Sequence, residues 1–578
     1  MPEAGVRSQN RMSSRIAFVT YETPFAPCGG IAAVMGRLPG YVQKVSGLDT
    51  IVITPFHYKI EKTSSLDNKI KLKANINVPF DNKNVPVEVY RYNDNRYQWA
   101  WYFLKPIDSR FFAGRRHPYD VGETQGEISR ILLRDSLFFG ATIARILDNT
   151  DQTDHWKVMI QDWEAATTAL ALTRQNKNQE LYLTLHNSYD SGVTNADLLQ
   201  VGIDPASCPG ETILQRALSL VERTVFTVSS QFALDLTEDP LQAEVMAPHL
   251  KDILKPRLFG VDNGLFASLA INEGILAEMM GDNFATVHEW KTIRRKEALH
   301  ALDRFVPSED KPIWGDLEKF KRDDSPWFVM AGRDDPRQKG YDVAASGITE
   351  FLEKGGEARF FFFPIPGDEG LEGLYFLKKM SERFSGSVLV LPFLFQEGFF
   401  ATLQGATYGV MPSLYEPFGM ANEFYLNGTV GIGRATGGIV QQIVPLRSAS
   451  SFTRSVQVRS ERWHTASATP TGILFRERDN IGSAVDDWRG INAAEYDIKG
   501  RGLGRVEQRK RYPLFRSMSH ELMLSIVDAV RVYRDIPELY YRMLVEGINH
   551  IRRSFSWERA AQEYVSNLAL PLPSRHFF

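Results

Sequence analysis

Trp327-Phe-Val-Met-Ala-Gly-Arg333 decides the fold. Its first five residues form a short apolar run that closes on Ala331-Gly332-Arg333, and a charged loop, Asp334-Asp-Pro-Arg-Gln-Lys-Gly340, follows. An apolar strand that ends in small residues and leads through a polar turn to a helix opens a βα unit. This opening stands in mid-chain, after one such series has already run. Upstream, residues 16–20, 51–55, 158–160, 181–185 and 225–228 are strand-like runs. Between them, 130–147 carries Leu133, Leu137, Ala141, Ala144 and Leu147 at helical spacing. Downstream, 360–365 and 388–393 repeat the strand signal. Alternating strands and helices predict a parallel, doubly wound sheet. The restart predicts two of them: an α/β chain of two Rossmann-like domains.

The length of 578 residues supports that division, being too long for one ordinary core. The sequence predicts a disordered tail at 1–15, a first domain at 16–264, and a second at 265–550 that begins with a polar connection to about residue 324. A terminal helical segment spans 551–578. Within these, 307–324 reads as charged surface, and the Ser-, Thr- and Arg-rich stretch 448–470 reads as a long loop.

Composition narrows the function. There are 67 basic and 70 acidic residues, and this balance argues against general nucleic-acid binding. Two cysteines, Cys28 and Cys208, exclude a disulfide framework and a four-cysteine zinc site. No apolar run is long enough to span a membrane. The first 15 residues are polar with three arginines and lack the apolar stretch of a secretory signal, so the cytoplasm is expected.

Four segments are suited to phosphate or sugar. Gly29-Gly30 follows the first strand, where backbone N–H groups at a helix start favour an anion; a plain strand-to-helix turn has the same sequence. Arg333 and Lys339 lie just beyond the strand 327–331, at a strand's carboxyl end, where open α/β sheets bind ligands. Arginine suits bidentate phosphate contact and lysine a point charge; a solvated charged loop, with Arg337 in it, reads equally. Glu416, in Ser413-Leu-Tyr-Glu-Pro-Phe-Gly419, is confined to a turn where it can grip a hydroxyl pair or cap a helix. Arg434-Ala-Thr-Gly-Gly438 again places amides at a helix start. The acid pairs Asp323-Asp324 and Asp334-Asp335 read as solvated loops, and no metal cluster stands out.

Taken in order, these segments resemble the glycogen and starch synthase family, retaining glucosyltransferases of the GT-B class, over nearly the whole chain. The resemblance includes Glu22, Gln161-Asp162-Trp163, Thr184-Leu-His-Asn187, Gly260-Val-Asp-Asn263-Gly264, Gln338-Lys339-Gly340 and Phe555-Ser-Trp557. It implies a deep cleft between the domains and a C-terminal helix that returns to the first. It implies that Arg333 and Lys339 bind the donor diphosphate and that Glu416 meets the transferred sugar, these three being the catalytic set. It places Gly29, Gly30, Asn263, Thr436, Gly437 and Gly438 around the nucleotide sugar, and Glu22, Gln161, Asp162 and Asn187 on the acceptor and sugar side. The implied substrates are ADP-glucose or UDP-glucose and an α-glucan, with no metal or other cofactor; a homo-oligomer stays open. Two positions depart from the family. Pro27 stands where its Gly-Gly motif carries lysine, and Gln161 stands where it carries histidine, which glutamine replaces as a hydrogen-bonding but uncharged group. A transferase with another donor or acceptor, or a weakly catalytic glucan-binding protein, therefore remains an alternative.

Overall fold

The computed structural model describes residues 14–568 apart from 62–69, 94–96, 113–118, 120–124, 149–154, 173–178, 321–324, 368, 480–483 and 495–500. The chain forms two units. Unit 1 holds the residues up to Val228, then Met246–Gly264 and Trp557–Phe578; unit 2 holds Ser229–Val245 and Leu265–Ser556. The stretch Ser229–Val245 thus belongs to unit 2, although unit 1 flanks it in sequence.

Among the described residues, unit 1 is built on nine strands: β1 Ser14–Val19, β2 Thr50–Pro55, β3 Ile70–Phe80, β4 Lys83–Tyr92, β5 Ala100–Pro106, β6 His155–Gln161, β7 Gln179–Leu185, β8 Val225–Thr227 and β9 Leu258–Gly260. They are ordered β3-β4-β5-β2-β1-β6-β7-β8-β9. From β5 to β9 the pairing is parallel. β3 and β4 add an antiparallel edge. Asp81 and Asn82 join them with φ of 49° and 59°, the doubly positive turn that suits a right-twisted hairpin. The parallel strands are continuous apolar runs because helices cover both faces; all six residues of β2 are buried. The last helix, Trp557–Leu568, packs on Leu38–Ser46. A Cβ on Gly264 would lie 2.3 Å from the Trp557 backbone nitrogen, so only glycine permits that approach.

Among the described residues, unit 2 has six parallel strands: β10 Trp327–Arg333, β11 Arg359–Ile365, β12 Val388–Val390, β13 Tyr408–Met411, β14 Val430–Arg434 and β15 Ile473–Phe475. Their order, β12-β11-β10-β13-β14-β15, is that of the dinucleotide-binding fold. Phe360 to Phe363 fill the interior of β11, with Phe328 of β10 stacked on Phe360 at 5.1 Å.

The structure corrects several expectations. Ser14 and Arg15 belong to β1, not to a tail; residues 1–13 lie outside the described residues. The region expected as a polar connection holds the helices Glu273–Met280 and Ala285–Arg304. Their burial was hidden because two cations point inward. Lys291 donates to the carbonyls of Gln404 and Ala406, and Arg295 to Gly405, at the end of helix Phe399–Gly405, where unpaired carbonyls favour cations. Further on, Trp314 pairs with Val390 through two backbone hydrogen bonds of 2.9 Å, and Phe320 is buried on Phe361, so 307–320 is not simply surface. The stretch 448–470 contains the helix Arg454–Ser460; ion pairs rather than an apolar stripe anchor it. Asp334 and Asp335 are buried, not solvated, because their turn folds under Arg505, 3.8 Å from Asp334. Asp323 and Asp324 lie outside the described residues. Cys28 and Cys208 are not joined in a disulfide.

Candidate functional site

In a doubly wound sheet the crevice opens outside the carboxyl ends of the two strands at which the winding direction reverses. In unit 2 these are β10 and β13. β10 ends at Arg333 and continues into the turn of Lys339; β13 ends at Met411 and continues into the turn of Glu416. The topology therefore brings together two segments that are distant in sequence. Lys339 Nζ donates to Glu416 Oε2 at 2.7 Å, Ser413 Oγ to the same oxygen at 3.0 Å, and Gln338 Nε2 to Oε1 at 3.2 Å. Glu416 is 7% exposed. The arginine of the set, Arg333, is half exposed and lies 3.7 Å from Asp335. The same Asp335 shapes the turn: its carboxylate accepts the Arg337 N–H, and its carbonyl accepts those of Gln338 and Lys339. Burial pushes the neighbouring Asp334 up to about 7 despite Arg505.

The Glu416 turn is braced from behind. Arg434, fully buried at the end of β14, donates to the Leu414 carbonyl and forks onto Glu477, with Nε to Oε2 at 2.7 Å. The Gly438 N–H donates to the Glu416 carbonyl at 3.2 Å. Gly437 has φ 46°, and a Cβ there would lie 1.6 Å from the Glu416 oxygen. Its N–H and the Thr436 hydroxyl are both directed at Asp235, at 2.7 and 3.1 Å. So the amides that the sequence assigns to a phosphate make their hydrogen bonds within the protein.

In unit 1 the reversal lies between β1 and β6. Glu22, two residues beyond Thr20, turns its Oε1 onto the N–H groups of Cys28 (3.1 Å), Gly29 and Ala32 (3.1 Å). A carboxylate of the chain itself thereby sits at the helix start of Gly30–Met35, and the Gly30 Cα faces open space. Tyr119 donates to the other oxygen of Glu22 at 3.3 Å. Burial raises the Glu22 carboxyl against those three N–H bonds.

At the end of β6, Asp162 adopts φ 59°, a left-handed conformation that Asp tolerates better than most residues. It accepts the His186 N–H at 2.6 Å and the Asn187 amide at 2.9 Å, and burial lifts it to about 7. Gln161 is almost fully buried. Its amide nitrogen donates to the Met159 carbonyl, so its oxygen is left to face His186 Nε2 at 2.9 Å. That fixes the proton of His186 on Nε2 and leaves Nδ1 as the acceptor. Burial lowers His186 to about 3, keeping it neutral. Glu164 is raised well above its ordinary range by burial and then by Asp162. Asn263 is buried, and its Oδ1 has no hydrogen-bond partner.

The structure thus brings Lys339 and Glu416 together in unit 2, with Arg333 beside Asp335 in the turn that carries Lys339, and in unit 1 Glu22 with Gly29, and Gln161 with Asp162 and Asn187. Sequence reasoning missed His186, Glu164, Ser413, Asp235 and Glu477. Position directly after a strand end was the available signal for His186 and Ser413. Among the described residues, no group of three or more His, Cys, Asp or Glu is placed to hold a metal, and no helix is long and apolar enough to cross a membrane.

The neutral state of His186 has a pH signature. Unfolded, it takes a proton near its ordinary 6.5; folded, only near 3. Its contribution to stability is therefore present above about 6.5 and is lost as pH falls toward 3. Asp162 runs the other way: raised from 3.8 to about 7, it contributes stability below about 3.8 that is lost as pH rises to 7. For His186→Asn, denaturant unfolding between pH 7 and 4 should show a shallower acid decline than wild type. Parallel declines would rule out a neutral buried imidazole.

Two doubly wound α/β sheets, the second in dinucleotide-binding order and polar side chains gathered where each reverses, are the architecture of the GT-B fold. Residues 15–251 match the family pattern described as the starch synthase catalytic domain. The glycogen synthase of Thermosipho melanesiensis is 22% identical, over 95% of this chain and 98% of that protein. That of Thermosipho africanus is 21% identical over the same shares. Among solved structures, the catalytic domain of starch synthase IV from Arabidopsis thaliana, bound to ADP and acarbose, has the same fold. It matches with a TM-score of 0.63 and 17% identity, over 96% of this chain and 98% of that one. The chain is thus similar to glycogen synthases over nearly its whole length, and to the starch synthase catalytic domain over residues 15–251.

Proposed function

We propose that this protein is a retaining glucosyltransferase that moves glucose from a nucleotide sugar, ADP-glucose or UDP-glucose, to the non-reducing end of an α-1,4-glucan in the cytoplasm. The observation that carries the reading is the meeting of the Arg333–Lys339 turn with Glu416 at the reversal point of unit 2. Arg333 and Lys339 hold the donor diphosphate, and Glu416 accepts hydroxyls of the transferred glucose. As the bond between sugar C1 and the phosphate oxygen breaks, negative charge grows on the departing phosphate. Cations already in place stabilise that charge without reorganising, which is the largest usual source of rate. The 4-hydroxyl of the acceptor forms the new bond to C1 from the face the phosphate leaves, and its proton passes to the leaving phosphate oxygen. The products are a nucleoside diphosphate and a glucan one residue longer. In this reading neither a protein base nor a metal takes part. Glu22, Gln161, Asp162 and Asn187 serve the acceptor and sugar side, with Gln161 acting through His186.

The test is a panel of ADP-, UDP- and GDP-sugars with glycogen as acceptor, reading nucleoside diphosphate release with and without a chelator. Release from ADP-glucose or UDP-glucose, unaffected by the chelator, is expected. Glycogen binding with no release from any donor would instead establish a glucan-binding protein. A second reading, transfer with another donor or acceptor, is favoured by Pro27 and by Gln161, whose side chain is engaged with His186 and the Met159 carbonyl. Release only with small-sugar acceptors would select it.

A further inference from the structure

The segment Ser229–Val245 touches the Glu416 turn at one point and the Thr436–Gly438 loop behind it at another, and no sequence motif suggests either contact. The Ser229 hydroxyl donates to the Pro417 carbonyl at 2.5 Å. Six residues on, Asp235 Oδ2 accepts the Gly437 N–H at 2.7 Å and the Thr436 hydroxyl at 3.1 Å. Asp235 is 1% exposed, and its other oxygen is equally committed, accepting Arg459 Nη1 at 3.0 Å and Gln231 Nε2 at 2.8 Å. Arg459 also meets Asp239, which Arg476 shares, each at 2.5 Å. Arg476 in turn lies 3.4 Å from Glu477, the partner of Arg434. Three arginines and three carboxylates are thus linked behind one loop.

What that loop does follows from its packing. The Gly437 Cα has no room for even a methyl group against the Glu416 carbonyl, and the Gly438 N–H is bonded to that same carbonyl. A shift of Gly437 is therefore passed straight to Glu416. With the Gly437 and Gly438 N–H groups taken by Asp235 and Glu416, the loop acts as a brace rather than an anion cradle.

We propose that Asp235 is a positioning residue that sets Glu416 through the Thr436–Gly438 loop, is itself held by Arg459, and is seconded by Ser229 on Pro417. The inference rests on the glucosyl-transfer reading of the Glu416 site. Small misplacements of a group at the reacting centre cost rate steeply, whereas substrate binding spread over many contacts changes little.

The decisive variant is Asp235→Asn. Its amide matches the carboxylate in shape, but one of its two atoms is a donor, so it cannot accept from both the loop and Arg459. In steady-state transfer with the nucleotide sugar, kcat should fall about tenfold or more, while KM for the donor and the calorimetric affinities for ADP and UDP stay within about threefold. Ser229→Ala should lower kcat in the same sense by about threefold, and it keeps the idea testable should D235N fail to fold. Wild-type kcat in folded D235N, or in S229A when D235N does not fold, overturns the role. So does tighter nucleoside diphosphate binding by D235N, which would mean that the carboxylate stands in for a phosphate at an open anion site. A wild type that is inactive with every donor overturns the reaction and this role together; an active wild type with an unaffected D235N overturns this role alone.

Discussion

Lys339→Ala should lower kcat for glucosyl transfer by about 10²–10³-fold, the usual cost of one lost preorganised donor to developing charge. Lys339 has two tasks in the proposed mechanism. Its ammonium meets the donor diphosphate, and it also neutralises Glu416, 2.7 Å away. After truncation Glu416 keeps only the uncharged donors Ser413 and Gln338, so its charge is left partly desolvated in a buried turn. A double-mutant cycle separates the two tasks. Glu416→Gln removes the charge and leaves a hydrogen-bonding side chain of the same size. If Lys339 acts on the phosphate, K339A still costs rate in the E416Q background. If it serves only to hold Glu416, the double variant is no slower than E416Q. Lys339→Arg should not restore activity, since the longer planar fork does not place a point charge at the same spot. A K339A turnover within about threefold of wild type would remove Lys339 from the mechanism.

The reversal-point geometry explains how much of this site the sequence could disclose. Strands buried on both faces write themselves as unbroken apolar runs, so 51–55 and 360–365 were legible, and the small or polar residues after them marked the strand ends. Arg333 was singled out because it follows such an end, and Glu416 because the turn before Pro417 and Gly419 confines it. Partners that come from segments distant in sequence left no such trace. Asp235 and Arg459 are 224 residues apart, and each reads alone as a solvated charge. The edge strand β3 escaped because most of its residues are exposed, which leaves neither a buried run nor a clean alternation. Helix Ala285–Arg304 escaped because Lys291 and Arg295 are engaged on the same side as the buried Val287, Ala298 and Leu302, which interrupts the apolar stripe.

Gln161 shows the same limit at the level of one side chain. Its type departs from the histidine that the family resemblance implies there, and that resemblance alone assigned it to the sugar side. Its neighbours decide its direction: the Met159 carbonyl takes its amide hydrogen, and His186 takes its oxygen. The histidine in reach is therefore His186, one strand over, with the tautomer that Gln161 dictates. No spacing rule along the chain reveals a pairing made across two parallel strands.

The largest effect on folding should come from Arg434→Met. Arg434 is fully buried and gives its Nε to Glu477 at 2.7 Å. It also donates to the Leu414 carbonyl and lies 5.2 Å from the ring centre of Trp488. Removing one member of a buried pair leaves the other charge without its main compensation, which costs about 3–5 kcal/mol. Methionine fills much of the volume, so the loss reports charge and hydrogen bonding more than a cavity. Arg476, 3.4 Å from Glu477, limits the damage, and adding Glu477→Leu should recover part of it, because an apolar pair is often no worse than an ionic one. Acid sensitivity supplies an independent readout. Burial works against Glu477, but Arg434 and then Arg476 hold it down to about 2 from 4.5. In the wild type this stabilisation is present above about 4.5 and is lost as pH falls toward 2. In R434M the Glu477 carboxyl rises, so the acid decline begins from a lower plateau and is shallower. Denaturant unfolding followed by tryptophan fluorescence, at pH 7 and stepwise down to pH 3, measures both effects. A loss below about 1 kcal/mol at neutral pH, with an unchanged acid slope, would show that the Arg434–Glu477 pair is not what holds the Leu414–Glu416 turn in place.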